Sequence, residues 1–253
     1  MSNTLSHDLG NKIAFVQGGS RGIGAAIVSK LAEQGATVAL AFTYANSDQA
    51  AHHLVDELSA NGSKVIALKA DSGSPEQIIE AINHVVTAYG KIDILVNNVG
   101  IFVMNKIQDV TLDEIEKIMA VNIKSVVVAS NEAAKHMPDY GRIINIGSIN
   151  AERVPTEGLT LYSMTKSAIK GLTKGMARDL GERFITVNNI QPGPVDTDMN
   201  PADGEMASSL IDIMAIKRYG YKSEIAALVS WLCSEHAGYI TGANINIDGG
   251  YGI

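Results

Sequence analysis

The sequence contains a single cysteine, Cys233, among its 253 residues. One thiol cannot form an intramolecular disulfide, and without a second thiol there is neither a dithiol redox motif nor a cysteine-based zinc pattern. The six histidines are scattered, and only His52 and His53 are adjacent, which is poor geometry for a metal site. We therefore predict no metal site and a reducing, cytoplasmic setting.

Long apolar runs and an excess of positive charge are also missing. No window approaches the roughly 18 apolar residues of a membrane span, and the opening segment MSNTLSHDLGNKIAFV lacks the pattern of a secretory signal. The net charge of −7, from 20 basic and 27 acidic residues, disfavours binding to nucleic acid or to an anionic membrane surface. We predict neither partner, so any bound anion must be held by local groups.

Two kinds of hydrolytic site find no support. A serine hydrolase would need a G-x-S-x-G elbow with a placed His and Asp; the string occurs at residues 18–22, inside the glycine-rich turn described below, and no His and Asp are placed to accompany it. Asp196 and Asp198 suggest paired carboxylates or a metal site, but no third ligand follows at a helpful spacing. We predict that both aspartates are polar loop residues.

Short β-branched apolar runs alternate with helix-period segments along the chain. Strands that are continuously apolar and separated by helices indicate a mainly parallel sheet covered on both faces. The alternation continues to the last residues, so the sequence predicts one α/β domain over 1–253 without a linker. The predicted strands are 12–17, 37–42, 64–70, 92–98, 142–148, 184–190 and 244–248, and the predicted helices are 22–34, 47–60, 75–89, 111–136, 160–181 and 222–235.

One segment, 191–220, interrupts this alternation. It is rich in Pro, Asp and Met and has no predicted strand of its own. Because ligands of doubly wound folds bind outside the carboxyl ends of the strands, the segment is a candidate substrate lid. Its Met199, Met206 and Met214 either line an apolar pocket or simply pack the segment onto the body, since Met commonly fills gaps.

A glycine-rich turn separates the first strand from the first helix in FVQGGSRGIGAAIVSKLAEQG. Gly18, Gly22 and Gly24 follow the pattern G-x-x-x-G-x-G, which lets the backbone approach a pyrophosphate and directs a helix N-terminus at its charge. Such turns also occur where nothing binds, but the position between a strand and a helix favours a nucleotide site.

The end of the second strand bears on which nucleotide binds. An NAD site of this kind usually has Asp or Glu there to hold the ribose 2′-hydroxyl, whereas this strand is followed by Thr43, Tyr44, Asn46 and Ser47. Arg21 lies inside the glycine loop, where a guanidinium can pair with a 2′-phosphate. Both observations favour NADP (NADPH), although Arg21 could be a solvated cation and a neutral strand end accommodates NAD as well.

Tyr162 and Lys166 lie four residues apart in the helix-period segment LYSMTKSAIKG, so one helix face carries both. The simple interpretation is an aromatic ring packed on a lysine stem. The chemical interpretation is that the ammonium lowers the pKa of the phenol, because a cation within about 4–6 Å favours phenolate. Ser148 ends a predicted strand and either stabilises an oxygen that gains charge or caps a turn, while Asn122 alone is typical of a helix bend or a surface position.

The glycine pattern, NNVG (97–100), Ser148 and Tyr162-x-x-x-Lys166 occur in the order seen in short-chain dehydrogenases/reductases. From about residue 9 to the end the sequence resembles this family. GGSRGIG, YSMTK and ITGANINIDGG look most like the 3-oxoacyl-carrier-protein reductase type. The resemblance implies a single-domain, Rossmann-like, doubly wound parallel sheet of about seven strands with helices on both faces, a nicotinamide cofactor and usually a homotetramer.

The resemblance also implies roles for single residues. Tyr162 would be the proton donor and acceptor, Lys166 its partner, Ser148 the substrate-orienting hydroxyl and Asn122 the prop of a water relay. The implied cofactor-binding residues comprise the glycine loop, the second strand end, an adenine pair (71 and 72), a ribose pair (98 and 100) and a nicotinamide segment (192–197). They are Gly18, Ser20, Arg21, Gly22, Ile23, Gly24, Thr43, Asp71, Ser72, Asn98, Gly100, Tyr162, Lys166, Pro192, Gly193, Val195 and Thr197.

Two residues depart from the family pattern. Gln17 stands where the family most often has Thr, and Val99 stands where Ala is usual. Neither change removes a group on the hydride path, so they concern turn support and cofactor fit.

Together these features predict an NADP(H)-dependent oxidoreductase, of carbonyl reductase or 3-oxoacyl reductase type, that interconverts a small-molecule ketone and a secondary alcohol by hydride transfer. An alternative is a regulatory nucleotide-binding protein on the same fold. The segments QPGPVDTDMNPADGEM and MAIKRYG resemble the cyclic-di-GMP-binding biofilm dispersal mediators, a subgroup of the same family.

Overall fold

Seven parallel strands form one sheet in the order β3-β2-β1-β4-β5-β6-β7. The computed structural model describes residues 8–43 and 45–253, and for Ala45 and Asn46 the backbone alone. The strand order reverses beside β1, which opens a crevice at the carboxyl ends of β1 and β4. Every predicted strand is present. The strands are β1 Ile13–Gln17, β2 Thr37–Phe42, β3 Val65–Lys69, β4 Ile94–Asn97, β5 Arg142–Ile146, β6 Thr186–Pro192 and β7 Asn244–Ile247.

Helices cover both faces of the sheet. One core layer joins α1, α2 and α8 to the sheet through side chains such as Val28, Leu58 and Val229. The opposite layer joins α3, α5 and α6 through Ala133 and Ala177 among others. The helices are α1 Gly22–Glu33, α2 Ala45–Ala60, α3 Pro75–Tyr89, α4 Leu112–Met119, α5 Ser125–His136, α6 Thr160–Asp179, α7 Ala207–Asp212 and α8 Lys222–Cys233.

The central strands are apolar on both sides because each side meets a helical layer. In β1, Ala14 and Val16 belong to the layer of α1 and α8, whereas Ile13 and Phe15 belong to the layer of α3 and α5. Burying one large side chain such as Phe15 contributes about 1.5–3 kcal/mol. This two-sided burial confirms the predicted doubly wound architecture, and it explains why the strands lack the polar alternation of a half-exposed sheet.

The ends of α3 follow local rules of helix capping. The Ser74 hydroxyl accepts a hydrogen bond from the Gln77 amide at 3.3 Å, Pro75 is the first helical residue, and Gly90 ends the helix with a φ of +80°. A side-chain cap, a proline and a left-handed glycine are the usual signals at these positions. Ser74 and Pro75 fix the end of the loop after β3, whose Ser72 lines the crevice.

Two predicted boundaries differ from the structure. The predicted helix 111–136 is interrupted by a π-helical turn, Ala120–Lys124, between α4 and α5. The segment 191–220 is less irregular than expected, since its first two residues extend β6 and it contains the short helix α7. None of the helices in the described ranges is long and apolar enough to cross a membrane.

Candidate active site

A cavity of about 680 Å³ lies at the carboxyl ends of the strands. It extends from the glycine-rich turn after β1 to the segment that follows β6. Three predicted residues, Gly24, Asp71 and Asn122, adjoin the cavity wall without lining it. The predicted residues that line the cavity are Gly18, Ser20, Arg21, Gly22, Ile23, Thr43, Ser72, Asn98, Gly100, Ser148, Tyr162, Lys166, Pro192, Gly193, Val195 and Thr197.

The glycine-rich turn is held tightly against the start of α1. Gly18 has a φ of +74°, and its carbonyl accepts a hydrogen bond from the Asn98 side chain at 2.8 Å. A Cβ on Gly24 would lie 2.0 Å from the Gly18 oxygen, so only glycine fits there. Because α1 begins at Gly22, the unpaired amides of its first turn lie at the cavity edge, as in an anion-binding helix terminus.

The ends of β2 and β3 are joined by hydroxyl groups. The Thr43 and Ser72 hydroxyls lie 2.8 Å apart, and the Ser72 amide donates to the Thr43 hydroxyl at 3.1 Å. The carboxylate of Asp71 instead accepts from the Gly73 amide at 2.9 Å and is turned into its own loop. Tyr44 and the side chain of Asn46 lie outside the described residues.

Arg21 is exposed at the rim of the cavity. Within the described residues it makes no ion pair, whereas Lys106, Lys170 and Arg218 each pair with a carboxylate. A guanidinium at the rim of the cavity that Thr43 also lines can pair with a phosphate.

Tyr162 and Lys166 lie on one face of α6, as their spacing predicts. The Lys166 ammonium is 5.7 Å from the centre of the Tyr162 ring and donates to the Ile146 carbonyl at 3.0 Å. A Cβ on Gly100 would lie 3.3 Å from the Lys166 nitrogen, so the loop after β4 also closes on this lysine. The ammonium is therefore held in place on three sides.

Burial dominates the electrostatics of this pair. It lowers the pKa of Lys166 from 10.5 to about 8. It also raises the pKa of Tyr162, against the opposing effect of a hydrogen bond with Ser148. The expectation of a lowered Tyr162 pKa is therefore wrong for this structure, because burial outweighs the effects that favour the phenolate. The phenolate loses more by burial than Ser148 restores, and Lys166 directs its hydrogen bond to Ile146.

Ser148 follows β5 at the cavity floor and is 8% exposed. Its hydroxyl accepts a hydrogen bond from the Asn150 amide at 3.1 Å. It thus serves as a turn cap, the simple interpretation, and contacts Tyr162 as well. The two interpretations of this serine are compatible, because accepting from Asn150 leaves its hydroxyl proton free to be donated.

Asn122 lies in the π-helical turn behind the cavity wall. Its side-chain oxygen accepts from the Ile101 amide at 2.8 Å, and its nitrogen donates to the Ile101 carbonyl at 3.0 Å and to the Thr165 hydroxyl at 3.1 Å. The amide therefore ties the loop after β4 to α6. The predicted water relay stays a prediction.

Several cavity residues carry no motif and were missed from the sequence. The Phe102 ring stands edge-on to the Tyr162 ring, with 5.0 Å between ring centres and 63° between planes. Of the three predicted methionines, Met199 and Met206 line the cavity, whereas Met214 is 2% exposed and packs the segment onto the body. Further apolar lining comes from Met104, Leu159, Leu210 and Tyr251.

The acidic residues nearby form no metal site. Asp196 accepts a hydrogen bond from the Ala202 amide at 3.0 Å, and Asp198 lines the cavity. Throughout the ranges that the structure describes, no group of three or more His, Cys, Asp or Glu side chains lies close enough to hold a metal ion.

Comparison with known proteins places this geometry in a family. The family model described as "Enoyl-(Acyl carrier protein) reductase" matches residues 18–252. The cyclic-di-GMP-binding biofilm dispersal mediator protein of Escherichia coli (strain K12) is 44% identical over 95% of this chain and 97% of its own.

Solved structures of short-chain dehydrogenases/reductases are also similar to this chain. A short-chain dehydrogenase/reductase from Serratia marcescens BCRC 10948 superposes with a TM-score of 0.95 at 53% identity, covering 98% of this chain and 100% of that one. A short-chain dehydrogenase from Burkholderia cenocepacia J2315, in complex with NADP, has a TM-score of 0.94 at 46% identity, covering 97% and 99%. The glycine turn, the strand-end serine and the Tyr-Lys pair thus occur in a chain that belongs to the short-chain dehydrogenase/reductase family.

Proposed function

We propose that the protein is an NADP(H)-dependent oxidoreductase that interconverts a ketone and a secondary alcohol. One observation carries the proposal: Ser148, Tyr162 and Lys166 line the same cavity as the glycine turn at the start of α1. A proton donor and a dinucleotide site therefore share one space. The description of the matching family model names a reductase, and the Burkholderia relative was solved in complex with NADP. Both findings are consistent with this function.

The residues present fit a dinucleotide phosphate. The close contact of Gly24 with Gly18 leaves the backbone amides at the start of α1 open to the pyrophosphate. Arg21, which makes no ion pair among the described residues and lines the same cavity as Thr43, suits a 2′-phosphate. Bound NADPH would supply the hydride. The segment 192–197 would lie against its nicotinamide side.

The proton follows a separate route through the chain's own side chains. Because burial raises the Tyr162 pKa, the phenol stays protonated near neutral pH and can donate to the oxygen of a ketone as that oxygen gains charge. Ser148 donates a second hydrogen bond to the same oxygen. Lys166, with a pKa of about 8, is mostly an ammonium at pH 7 and stabilises the phenolate that remains. Each pKa unit of such stabilisation is worth about 1.4 kcal/mol.

The test is reduction of a ketone panel with NADPH, followed by absorbance at the reduced-cofactor band. The wild type should consume NADPH with at least one ketone. Tyr162→Phe keeps the ring but not the proton, so it should bind NADPH normally and lose about 10²–10⁴-fold in kcat. A wild type that turns over no ketone would refute the proposal, and full activity in Tyr162→Phe would refute the assigned acid.

A second candidate function rests on the Escherichia coli relative, whose name states that it binds cyclic-di-GMP. Such a ligand carries two phosphates and needs cations to pair with them. The described cations that line the cavity are Arg21 and Lys166. Arg218 of MAIKRYG is committed to Glu224, at 2.7 and 3.0 Å. We therefore rank this function second, and calorimetric titration with cyclic-di-GMP, with and without NADPH, tests it.

The homotetramer and the cytoplasmic location belong to the same proposal as expectations of the family. Light scattering of the purified chain tests the tetramer.

A further inference from the structure

The segment 248–253, which follows β7, contributes Tyr251 to the far wall of the cavity. Tyr251 is 2% exposed and lines the cavity. It packs in a small apolar cluster with Ile149, Met214 and Tyr219. Because Ile149 directly follows Ser148, the Tyr251 ring stands close to the proposed reaction centre.

This wall is locked in position by its own backbone. The Asp248 carboxylate accepts hydrogen bonds from the Gly250 amide at 3.1 Å and the Gly252 amide at 2.7 Å. A Cβ on Gly252 would lie 2.7 Å from the Ile149 side chain. Gly252 therefore packs closely against Ile149, in a space that only glycine fits.

Arg153, in the loop after Ser148, holds the same segment 248–253. Its guanidinium donates to the Tyr251 carbonyl at 2.5 Å and to the Ile253 carbonyl at 3.2 Å. It also lies 5.5 Å from the centre of the Tyr251 ring. Tyr251 and Ile253 are thus tied to the segment that carries Ser148.

The remaining lining shows what kind of molecule suits this end. Of the described residues around the cavity, the charged ones are Arg21, Lys166 and Asp198. Arg21 belongs to the proposed cofactor end and Lys166 to the reaction centre, which leaves a carboxylate and no cation for the substrate end. The apolar lining comes from Phe102, Met104, Leu159, Met199, Met206 and Tyr251. Neutral polar side chains such as Asn150 and Asn200 also line the cavity, but an anionic keto acid would find no cation to pair with at this end, whereas an uncharged apolar body would be desolvated favourably.

We infer that the site takes uncharged, apolar ketones and that Tyr251, held by Arg153, sets the size of ketone that fits. This inference rests on the proposed reductase function. Tyr251 is a specificity-determining residue, because its ring closes the end of the space in which the substrate must lie. Arg153 is a positioning residue, because it acts through Tyr251.

The experiment measures kcat/KM with NADPH for cyclohexanone, the larger 1-tetralone and the anionic acetoacetate. The wild type should favour the uncharged ketones over acetoacetate. Tyr251→Ala opens the far wall, so the ratio of 1-tetralone to cyclohexanone should rise about tenfold, the scale of a changed apolar pocket. Tyr251→Phe keeps the ring and should leave that ratio unchanged.

Arg153→Met keeps the side-chain length but loses both hydrogen bonds to the carbonyls of Tyr251 and Ile253. It should shift the ratio in the same direction as Tyr251→Ala, mainly through KM, since the proton-transfer residues are untouched. NADPH binding, measured by fluorescence, and the melting temperature check that each variant is folded. Should Tyr251→Ala fail to fold, Tyr251→Leu gives the same comparison.

The outcomes separate the two claims. A wild type that reduces none of a broad ketone panel refutes the reductase function and this inference with it. An active wild type that prefers acetoacetate refutes the uncharged substrate class alone. An active, folded Tyr251→Ala with a ratio within twofold of wild type refutes the role of Tyr251 alone.

Discussion

The cavity has two unlike walls. The inner wall carries Tyr162 and Lys166 on α6, and Lys166 and Asn122 behind it are only 6% and 2% exposed. The outer wall is the segment 194–216, where Met199 and Met206 are 67% and 50% exposed. The side chains of Lys166 and Asn122 are fixed by hydrogen bonds to backbone groups, whereas Met199 and Met206 of the outer wall are flexible thioethers at the surface. The comparison suggests that this protein holds its proton-transfer groups rigidly and leaves recognition adaptable.

The largest effect should come from the charge buried in the inner wall. Lys166→Met keeps the volume of the stem but removes the ammonium, so kcat should fall about 10²–10⁴-fold, the usual scale of a lost acid-base group. The same change should stabilise the fold at pH 7. The pKa of Lys166 falls from 10.5 to about 8 on folding, which corresponds to roughly 3 kcal/mol against folding when the amine is charged.

The direction of the Lys166 pKa shift determines the pH range over which the folding stability changes. Because the folded pKa is depressed, the associated stability is present above pH 10.5 and is lost as the pH falls through about 8. Wild type should therefore gain melting temperature between pH 7 and pH 9 relative to Lys166→Met, measured by differential scanning fluorimetry. An equal response of both proteins would show that the lysine is not buried as described.

The second effect concerns the one buried methionine of the outer wall. Met214 is 2% exposed and packs against Ile149 and Tyr251. Met214→Ala should lower the free energy of unfolding by about 2–5 kcal/mol, because truncating a buried side chain leaves a cavity. Urea denaturation measures the change. A loss below about 0.5 kcal/mol, typical of a surface position, would place Met214 with the exposed methionines and remove the anchor of this wall.

How far the sequence could predict these walls follows from the range of the contacts involved. The Tyr162 and Lys166 pair was predictable because four residues along a helix is a local relation. The Gly18 and Gly24 turn was predictable for the same reason. Tyr251 was not, since it meets Ile149 across about 100 residues of chain through packing that no local pattern records.

The predictions that were wrong or left open likewise depend on burial and long-range contacts. The pKa of Tyr162 was expected to fall because spacing shows a nearby cation, but spacing does not show how much water is excluded. The turn at Ala120–Lys124 breaks a helix that periodicity continues. There Asn122 bonds to Ile101, a partner from another loop. Periodicity likewise could not separate Met214 from Met206, because both lie in one polar segment.

A third effect compares the two cations of the cavity. Arg21 is exposed where Lys166 is buried, so its contribution should be smaller and sensitive to salt. Arg21→Gln should raise KM for NADPH about tenfold, the scale of one lost charge-assisted contact, and leave KM for NADH unchanged. Steady-state kinetics at low and high salt provide the measurement. An equal change for both cofactors would mean that Arg21 does not read the 2′-phosphate.

The smallest effect should come from the exposed part of the outer wall. Met206 lines the cavity but is 50% exposed, so Met206→Ala removes apolar contact with a substrate while leaving little cavity in the protein. We expect KM for an apolar ketone to rise a few-fold, consistent with the loss of one or two buried methylenes, and the unfolding free energy to stay within about 0.5 kcal/mol of wild type. Met214→Ala is the matched control, since the same truncation eight residues along the same segment should do the reverse, costing stability first. If the two variants behaved alike in both kinetics and urea denaturation, the outer wall would be a single packed unit and its adaptability would be disproved.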